Sequence, residues 1–244
     1  MRLGLVRDWL ACEQPDLLAL QETKVVDEWF PVAVFESLGY RAAFRGMKGY
    51  NGVALLSRQP PDEVAFGFPR DPRDDPRLLH ARFGDFHIVN TYVPQGRAID
   101  HPMFAYKVNW FDRLRRWFDA RFAPTDAVLW VGDLNVAAEP IDVHNPEERE
   151  DHVCFHADAR RAFARTRAWG FVDVFRAFHP EPGHYTFFDY RQPFTPARKT
   201  GWRLDYILAT APLAERARGS RIDPAPRAAT RPSDHVPVIA EFDG

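Results

Sequence analysis

Residues 127–135 read Ala127-Val128-Leu129-Trp130-Val131-Gly132-Asp133-Leu134-Asn135. The five-residue apolar run predicts a buried strand. Gly132-Asp133 ends it and delivers a carboxylate where backbone leaves the core. In extended backbone, residues two apart point to the same side, so Asp133 and Asn135 can face one ligand. A turn capped by Asp and Asn gives the same letters, because both are common turn residues.

Working outward, residues 101–121 carry Phe104, Val108, Phe111, Leu114 and Phe118 at spacings of three and four, which predicts a long helix. Upstream, Leu17-Leu18-Ala19-Leu20 predicts a second buried strand, preceded by a helix over 4–13 with Leu5, Val6, Trp9 and Leu10 on one face. A further helix is expected over 28–38 and strands near 40–44, 52–57, 63–66, 78–83 and 86–93. The charged, proline-rich stretch Pro69–Pro76 reads as a loop. Downstream, a helix over 157–168 and strands near 203–209 and 236–242 complete the pattern. No repeat and no linker divides the chain. The expectation is an α/β protein of one domain, 1–244, with two mixed sheets packed face to face and helices outside.

Bulk properties leave function open. The 244 residues are 45% hydrophobic and 27% charged, ordinary for a globular protein. Two cysteines, Cys12 and Cys154, are too few for a disulfide framework and suggest a reducing, cytosolic setting. No apolar run approaches 18 residues, so no membrane span is expected, and Met1–Asp8 has no signal-peptide pattern. A net charge of −2 is no footprint of nucleic-acid binding. It does not exclude one, since carboxylates gathered at a metal site offset a basic rim.

The chemistry sits where strands end. Glu22 follows Leu20-Gln21, and a carboxylate there is an oxygen donor suited to Mg²⁺. Standing alone, such a glutamate is more often solvated. Asp133 can accept a proton from water, and the Asn135 amide can hold water or a phosphate oxygen. Ser233-Asp234-His235 precedes the last strand, and Asp205, from Trp202-Arg203-Leu204-Asp205-Tyr206, is the candidate to fix the imidazole's tautomer. Tyr92 closes a strand and can donate to a phosphate oxygen; Lys107, near the start of the long helix, can contact an anion. Tyr185–Arg191, followed by Lys199, Trp202 and Arg203, interleaves aromatic and basic residues, as bases and phosphates require. Core packing explains the same aromatics. His152-Val153-Cys154-Phe155-His156 lacks a fourth ligand and reads as structural, not as zinc. His80, His87, His101 and His179 read as surface or core histidines.

Taken in order, Leu-Gln-Glu-Thr-Lys, Tyr-Asn-Gly-Val, Tyr-Val-Pro, Gly-Asp-Leu-Asn, Trp-Arg-Leu-Asp-Tyr and Ser-Asp-His resemble the endonuclease/exonuclease/phosphatase superfamily, and more narrowly its exonuclease III / apurinic-apyrimidinic endonuclease branch. The resemblance runs from about residue 5 to the end; Asp142-Val143-His144-Asn145-Pro146 resembles the bacterial members. It implies a four-layered α/β sandwich with the site at one end of the two sheets. It implies Mg²⁺, or Mn²⁺ in its place, held by Glu22, Asp133, Asn135, Asp234 and His235. It implies catalytic roles for Tyr92, Asp133, Asn135, Asp205 and His235, and DNA contacts from Lys24, Lys107, Arg191 and Trp202. The implied activity is cleavage 5′ to abasic sites and removal of nucleotides or blocking groups from 3′ ends of duplex DNA, by a cytoplasmic bacterial monomer with no membrane partner.

Two departures accompany it. The family opens with a strand carrying a Trp-Asn-Val-Asn-type motif, and nothing before Leu3 can supply that strand, so a mis-assigned start or a truncation is expected. Phe188 stands where relatives often carry tryptophan. The competing readings are a superfamily phosphodiesterase acting on inositol phosphates, lipids or RNA, and a weakly active or inactive DNA-binding remnant.

Overall fold

The computed structural model describes residues 2–70, 73, 75–191 and 200–244. Helix α1 (Leu3–Glu13) leads into β1 (Leu17–Gln21), then α2 (Val32–Glu36), β2 (Arg41–Arg45), β3 (Val53–Ser57) and β4 (Glu63–Phe66). The antiparallel pair β5 (Leu78–Phe83) and β6 (Phe86–Tyr92) precedes the long α3 (Pro102–Arg121) and β7 (Ala127–Asp133). The C-terminal third holds α4 (Ala157–Arg167), β8 (Phe171–Asp173), α5 (Val174–Phe178), β9 (Asp205–Thr210), α6 (Ala211–Ala214), β10 (Ala217–Ile222) and β11 (Val238–Phe242).

A six-stranded sheet runs in the order β4-β5-β6-β7-β9-β8. It is mixed, because β6 and β7 are parallel and the other pairings antiparallel. Facing it are two antiparallel ladders, β1-β3-β2 and β10-β11. Side chains alternate along each strand, and the alternation sorts them into two cores. Leu79, Ala81, Ile88, Leu129, Val131 and Ala209 meet Val53 and Leu55 from β3 and Ala240 and Phe242 from β11 between the sheets. Leu78, Val89, Val128, Trp130 and Leu208 point the other way, onto Trp110, Phe111, Leu114 and Phe118 of α3 and Phe163 of α4. A third cluster, Leu10, Phe35, Tyr40 and Leu56, packs α1 and α2 on the outer face of the smaller sheet. Helix, sheet, sheet and helix therefore stack in four layers. β7 is apolar without alternation because both its faces are covered.

Several boundaries follow from local chemistry. His101 caps α3 by accepting the Met103 N–H through Nδ1 at 3.0 Å, with Pro102 just inside the helix. The helix expected over 28–38 is divided by Pro31, which leaves a 3-10 turn at Asp27–Trp29 before α2. β8, α5, α6 and β10 have no counterpart in the sequence reading. β10 reads Ala-Arg-Gly-Ser-Arg-Ile, half solvent-facing and broken in register between Ala217 and Gly219, so it lacks a strand's apolar signature.

Candidate active site

Register brings three of the expected residues to one level of the large sheet. Tyr92 pairs with Asp133 across β6 and β7, and Asp133 pairs with Asp205 across β7 and β9. Gly132 makes the last turn of β7 feasible. Its φ is +129°, and a Cβ there would lie 2.0 Å from the Thr91 carbonyl oxygen.

Glu22 reaches this row from the opposite sheet. Buried Asn90 donates from Nδ2 to the carbonyls of Leu20 (3.1 Å) and Ala54 (2.9 Å), and accepts from Gln21 Nε2 at 2.7 Å. That clamp ties the end of β1 to β6. Glu22 then turns sharply, with φ +52°, a conformation that costs a non-glycine residue roughly 1–2 kcal/mol. Its carboxylate accepts from the Tyr92 hydroxyl and pairs with Lys24 Nζ at 2.9 Å. Burial pushes Glu22 up, but Tyr92 and Lys24 outweigh it and hold the carboxyl below its usual range. Burial, with Asp133 and Glu22 beside it, raises Tyr92, so the hydroxyl keeps its proton.

Asp133 and Asn135 form a closed unit. The Asn135 backbone N–H donates to Asp133 Oδ1 at 2.9 Å, and its Nδ2 donates to Asp133 Oδ2 (3.0 Å) and to the Val93 carbonyl (2.9 Å). Both amide hydrogens are thus spent inside the protein, with the amide orientation assigned from this network. Of the two expectations for the Asn135 amide, water or a phosphate oxygen, the phosphate contact through N–H has no free donor, while Oδ1 is an acceptor suited to water. Behind it lies Cys154 Sγ at 3.9 Å, a thiol that burial pushes up to about 11.

His235 completes the arrangement. Its Nδ1 lies 2.8 Å from Asp205 Oδ2 and its Nε2 3.9 Å from Asp133 Oδ2. A carboxylate only accepts, so Nδ1 carries a proton. Burial works against charge on the ring, yet Asp205 and Asp133 prevail and push His235 up to about 10. Burial in turn pushes Asp133 up to about 7. The His235 segment is held by an antiparallel bridge to Phe187. Thr186 Oγ1 accepts the N–H groups of Leu204 and Asp205 at 3.0 and 3.1 Å, which fixes the start of β9.

Glu22, Tyr92, Asp133, Asn135 and His235 line one cleft of about 440 Å³, shared with Gln95, His144, Arg149, His152, Asp189, Arg191, Trp202 and Asp234. Its oxygen donors, the carboxylates of Glu22 and Asp133 and the Asn135 carbonyl, fit a hard divalent cation such as Mg²⁺. Asp234 also faces the cleft, and its Oδ1 accepts from Tyr190 at 3.3 Å. Trp202 stacks at a tilt on His152, ring centroids 4.5 Å apart. Burial, with Lys107 nearby, lowers His152 to about 4, so that ring is neutral. Arg191 is exposed and paired with Asp189.

Lys107 does not face the cleft. It is fully buried, and its ammonium donates to the carbonyls of Gln95 (3.2 Å), Asn135 (2.6 Å) and Val153 (2.7 Å). All three donors are used, so the expected phosphate contact is replaced by a brace beneath Asn135. Arg203 is likewise internal, paired with Asp142 and Asp173 at 2.7 Å each. Lys199 lies outside the described residues. His152 and His156 diverge: the first accepts the Cys154 N–H, and the second caps α4. His144 and Arg149 also line the cleft, with no sequence signal beyond the stretch Asp142-Val143-His144-Asn145-Pro146, which holds His144 and lies just before Arg149.

Known proteins resemble this chain along most of its length. The model of the Endonuclease/Exonuclease/phosphatase family matches residues 2–235. An exodeoxyribonuclease III of Haemophilus influenzae is 34% identical, over 94% of this chain and 90% of its own. A DNA repair nuclease of Danio rerio is 32% identical, over 95% of this chain and 74% of its own. Among solved structures, an AP endonuclease from Archaeoglobus fulgidus superposes with a TM-score of 0.97 at 47% identity, covering 100% of this chain and 95% of the other. A 3′ phosphatase from Neisseria, bound to a product DNA hairpin, gives 0.90 at 37% identity, over 100% and 95%.

Proposed function

This chain belongs to the endonuclease/exonuclease/phosphatase family, in its exonuclease III / AP endonuclease branch, and we propose that it cleaves duplex DNA 5′ to abasic sites and clears 3′ ends with the help of Mg²⁺. It is a hydrolytic nuclease of the DNA-repair kind. One observation carries the reading beyond that: His235, held by Asp205, converges with Asp133–Asn135 and Glu22–Tyr92 on one cleft at the strand ends.

A phosphodiester gains negative charge as water attacks, so the site must answer that charge. A bound divalent cation would supply positive charge at the scissile phosphate. The remaining work falls to side chains. Asp133, in the wall of the cleft, orients the attacking water and takes its proton at a carboxylate oxygen. Asn135 Oδ1 accepts a second hydrogen bond from that water. His235, held by Asp205, donates from Nε2 to a non-bridging phosphate oxygen. Tyr92 donates to the phosphate as well, once its one hydroxyl proton swings away from Glu22. The bond from water oxygen to phosphorus forms as the bond to the 3′ oxygen breaks, and the departing 3′ oxygen takes a proton from solvent to become a hydroxyl. Lys24, Arg149 and Arg191 at the rim contact neighbouring phosphates, and the neutral His152–Trp202 pair offers a flat apolar wall to a displaced sugar or base.

The test uses purified protein, a duplex with a single abasic analogue and a duplex with a blocked 3′ end. Incision and end-clearing are expected with Mg²⁺ and lost with EDTA. Asp133→Asn and His235→Ala should each lower the rate by roughly 10²–10⁴-fold while duplex binding persists. EDTA-insensitive cleavage, or cleavage unaffected by both variants, would sink the proposal.

A further inference from the structure

The loop after α5 gathers His179, Glu181 and His184, none of which lines the cleft. One donor atom from each lies within 4.8 Å of the others. Glu181 Oε1 stands 2.7 Å from His184 Nε2 and 3.5 Å from His179 Nδ1.

The tautomer of His179 is set from outside. Its Nε2 lies 2.7 Å from the Ser220 carbonyl oxygen. A carbonyl only accepts, so Nε2 carries the proton and the neutral ring turns the lone pair of Nδ1 toward Glu181. Metal-bound histidines show this division, with the outer N–H spent on a backbone carbonyl. Two acceptors facing each other call for a cation between them, or for a proton.

The site is also braced before any ion arrives. Phe175 stacks on His179 at 4.6 Å and meets His184 edge-on at 5.4 Å. Arg176 Nη1 donates to the carbonyls of His179 (2.9 Å) and Glu181 (2.7 Å), and its guanidinium is anchored on buried Asp142. For bonds of about 2.0–2.1 Å, neighbouring donors of a tetrahedral ion stand roughly 3.3 Å apart. The His179–Glu181 separation already fits; His184 must withdraw by about half an ångström and release the Nε2 proton it donates to Glu181, its ring keeping the other on Nδ1.

We propose that His179 Nδ1, Glu181 and His184 Nε2 bind a transition-metal ion of the Zn²⁺ class, separate from the nuclease cleft. Two imidazoles and one carboxylate select such an ion over Mg²⁺, which prefers oxygen throughout. Three protein ligands leave a fourth position open. The ion stiffens the loop that leads into Phe187, the strand partner of His235.

The full chain, stripped of metal and kept in excess Mg²⁺, is titrated with Zn²⁺ by calorimetry and melted with and without Zn²⁺. The expected result is a Zn²⁺ site whose affinity falls at least tenfold in His184→Ala and in Glu181→Gln, with the Zn²⁺-dependent rise in melting temperature lost in both. Incision in Mg²⁺ alone should be unchanged. Glu181 is exposed, so its variant serves even where His184→Ala folds poorly. Wild-type Zn²⁺ titration and melting behaviour in Glu181→Gln and in any folded His184→Ala would overturn the assignment.

Discussion

Replacing Lys107 with methionine separates two physical accounts of one residue. Near the start of a long helix, a lysine reads as a phosphate contact. The structure places its ammonium inside the protein, with three carbonyls as partners. Burial lowers its pKa, with Cys154 and Asp133 acting the other way, and the three carbonyls take up its donors. Methionine keeps the length of the stem and removes every donor. Each orphaned buried carbonyl costs roughly 1–3 kcal/mol, though loop carbonyls can turn partly to water and the buried charge is relieved. A net loss of about 3–5 kcal/mol follows, the range for removing one partner of a buried charged network. At roughly 2–4 °C per kcal/mol for a chain of this size, melting should fall by about 6–20 °C.

The function should change in a matching way. The Asn135 carbonyl is one of the three partners, so its loop loosens and kcat falls, while KM moves little because no DNA contact is lost. The decisive assay is the salt dependence of DNA affinity. A phosphate contact contributes close to one unit of slope in log Kd against log salt. Lys107→Met should leave that slope unaltered and lower the melting temperature. Unchanged melting with a slope flatter by about one unit would refute the brace and restore the phosphate contact.

Two further perturbations probe the frame around the site. Gly132→Ala places a Cβ 2.0 Å from the Thr91 carbonyl oxygen, backbone that cannot swing aside; a loss of roughly 3 kcal/mol or more in chemical denaturation is expected, with incision at least a hundredfold slower as Asp133 shifts. A variant that unfolds and cuts like the parent would contradict this. His80, buried against Trp117, Phe122 and His87, is held down to about 4 by burial, against an ordinary value of 6.5. Its folded-state pKa is depressed, so the unfolded chain binds the extra proton: stability is fully present above about pH 6.5 and declines as pH falls toward 4, by up to about 3 kcal/mol. His80→Phe should flatten that acid limb in urea titrations at stepped pH, leaving a smaller slope from His87, which burial also lowers; an unchanged limb would exclude His80 as its source.

What the sequence made legible, and what it hid, divides along a physical line. Glu22 and Asp133 could be read because each closes an apolar run, and Asp205 and His235 because each stands just before one, and the point where such a run turns polar is where a strand leaves or enters the core. Two facing sheets with helices outside were readable for the same reason: continuous apolar runs mark strands covered on both faces, and the 3–4 spacing of the long helix marks its buried side. The direction of a long polar side chain has no such marker. Lys107 and Arg203 lie among the same kinds of neighbours that a surface cation would have, and their partners come from segments far away in the chain: Gln95, Asn135 and Val153 for one, Asp142 and Asp173 for the other. Only the closed fold decides between solvent and core for them. Asn135 shows why this matters for chemistry. Its motif gives the residue, but Val93 and Asp133 consume its amide hydrogens, and Lys107 fixes its backbone carbonyl from below. The atom left for the cleft is Oδ1, so the residue acts as an acceptor. The groups that set its role, Val93 and Lys107, lie outside its own motif.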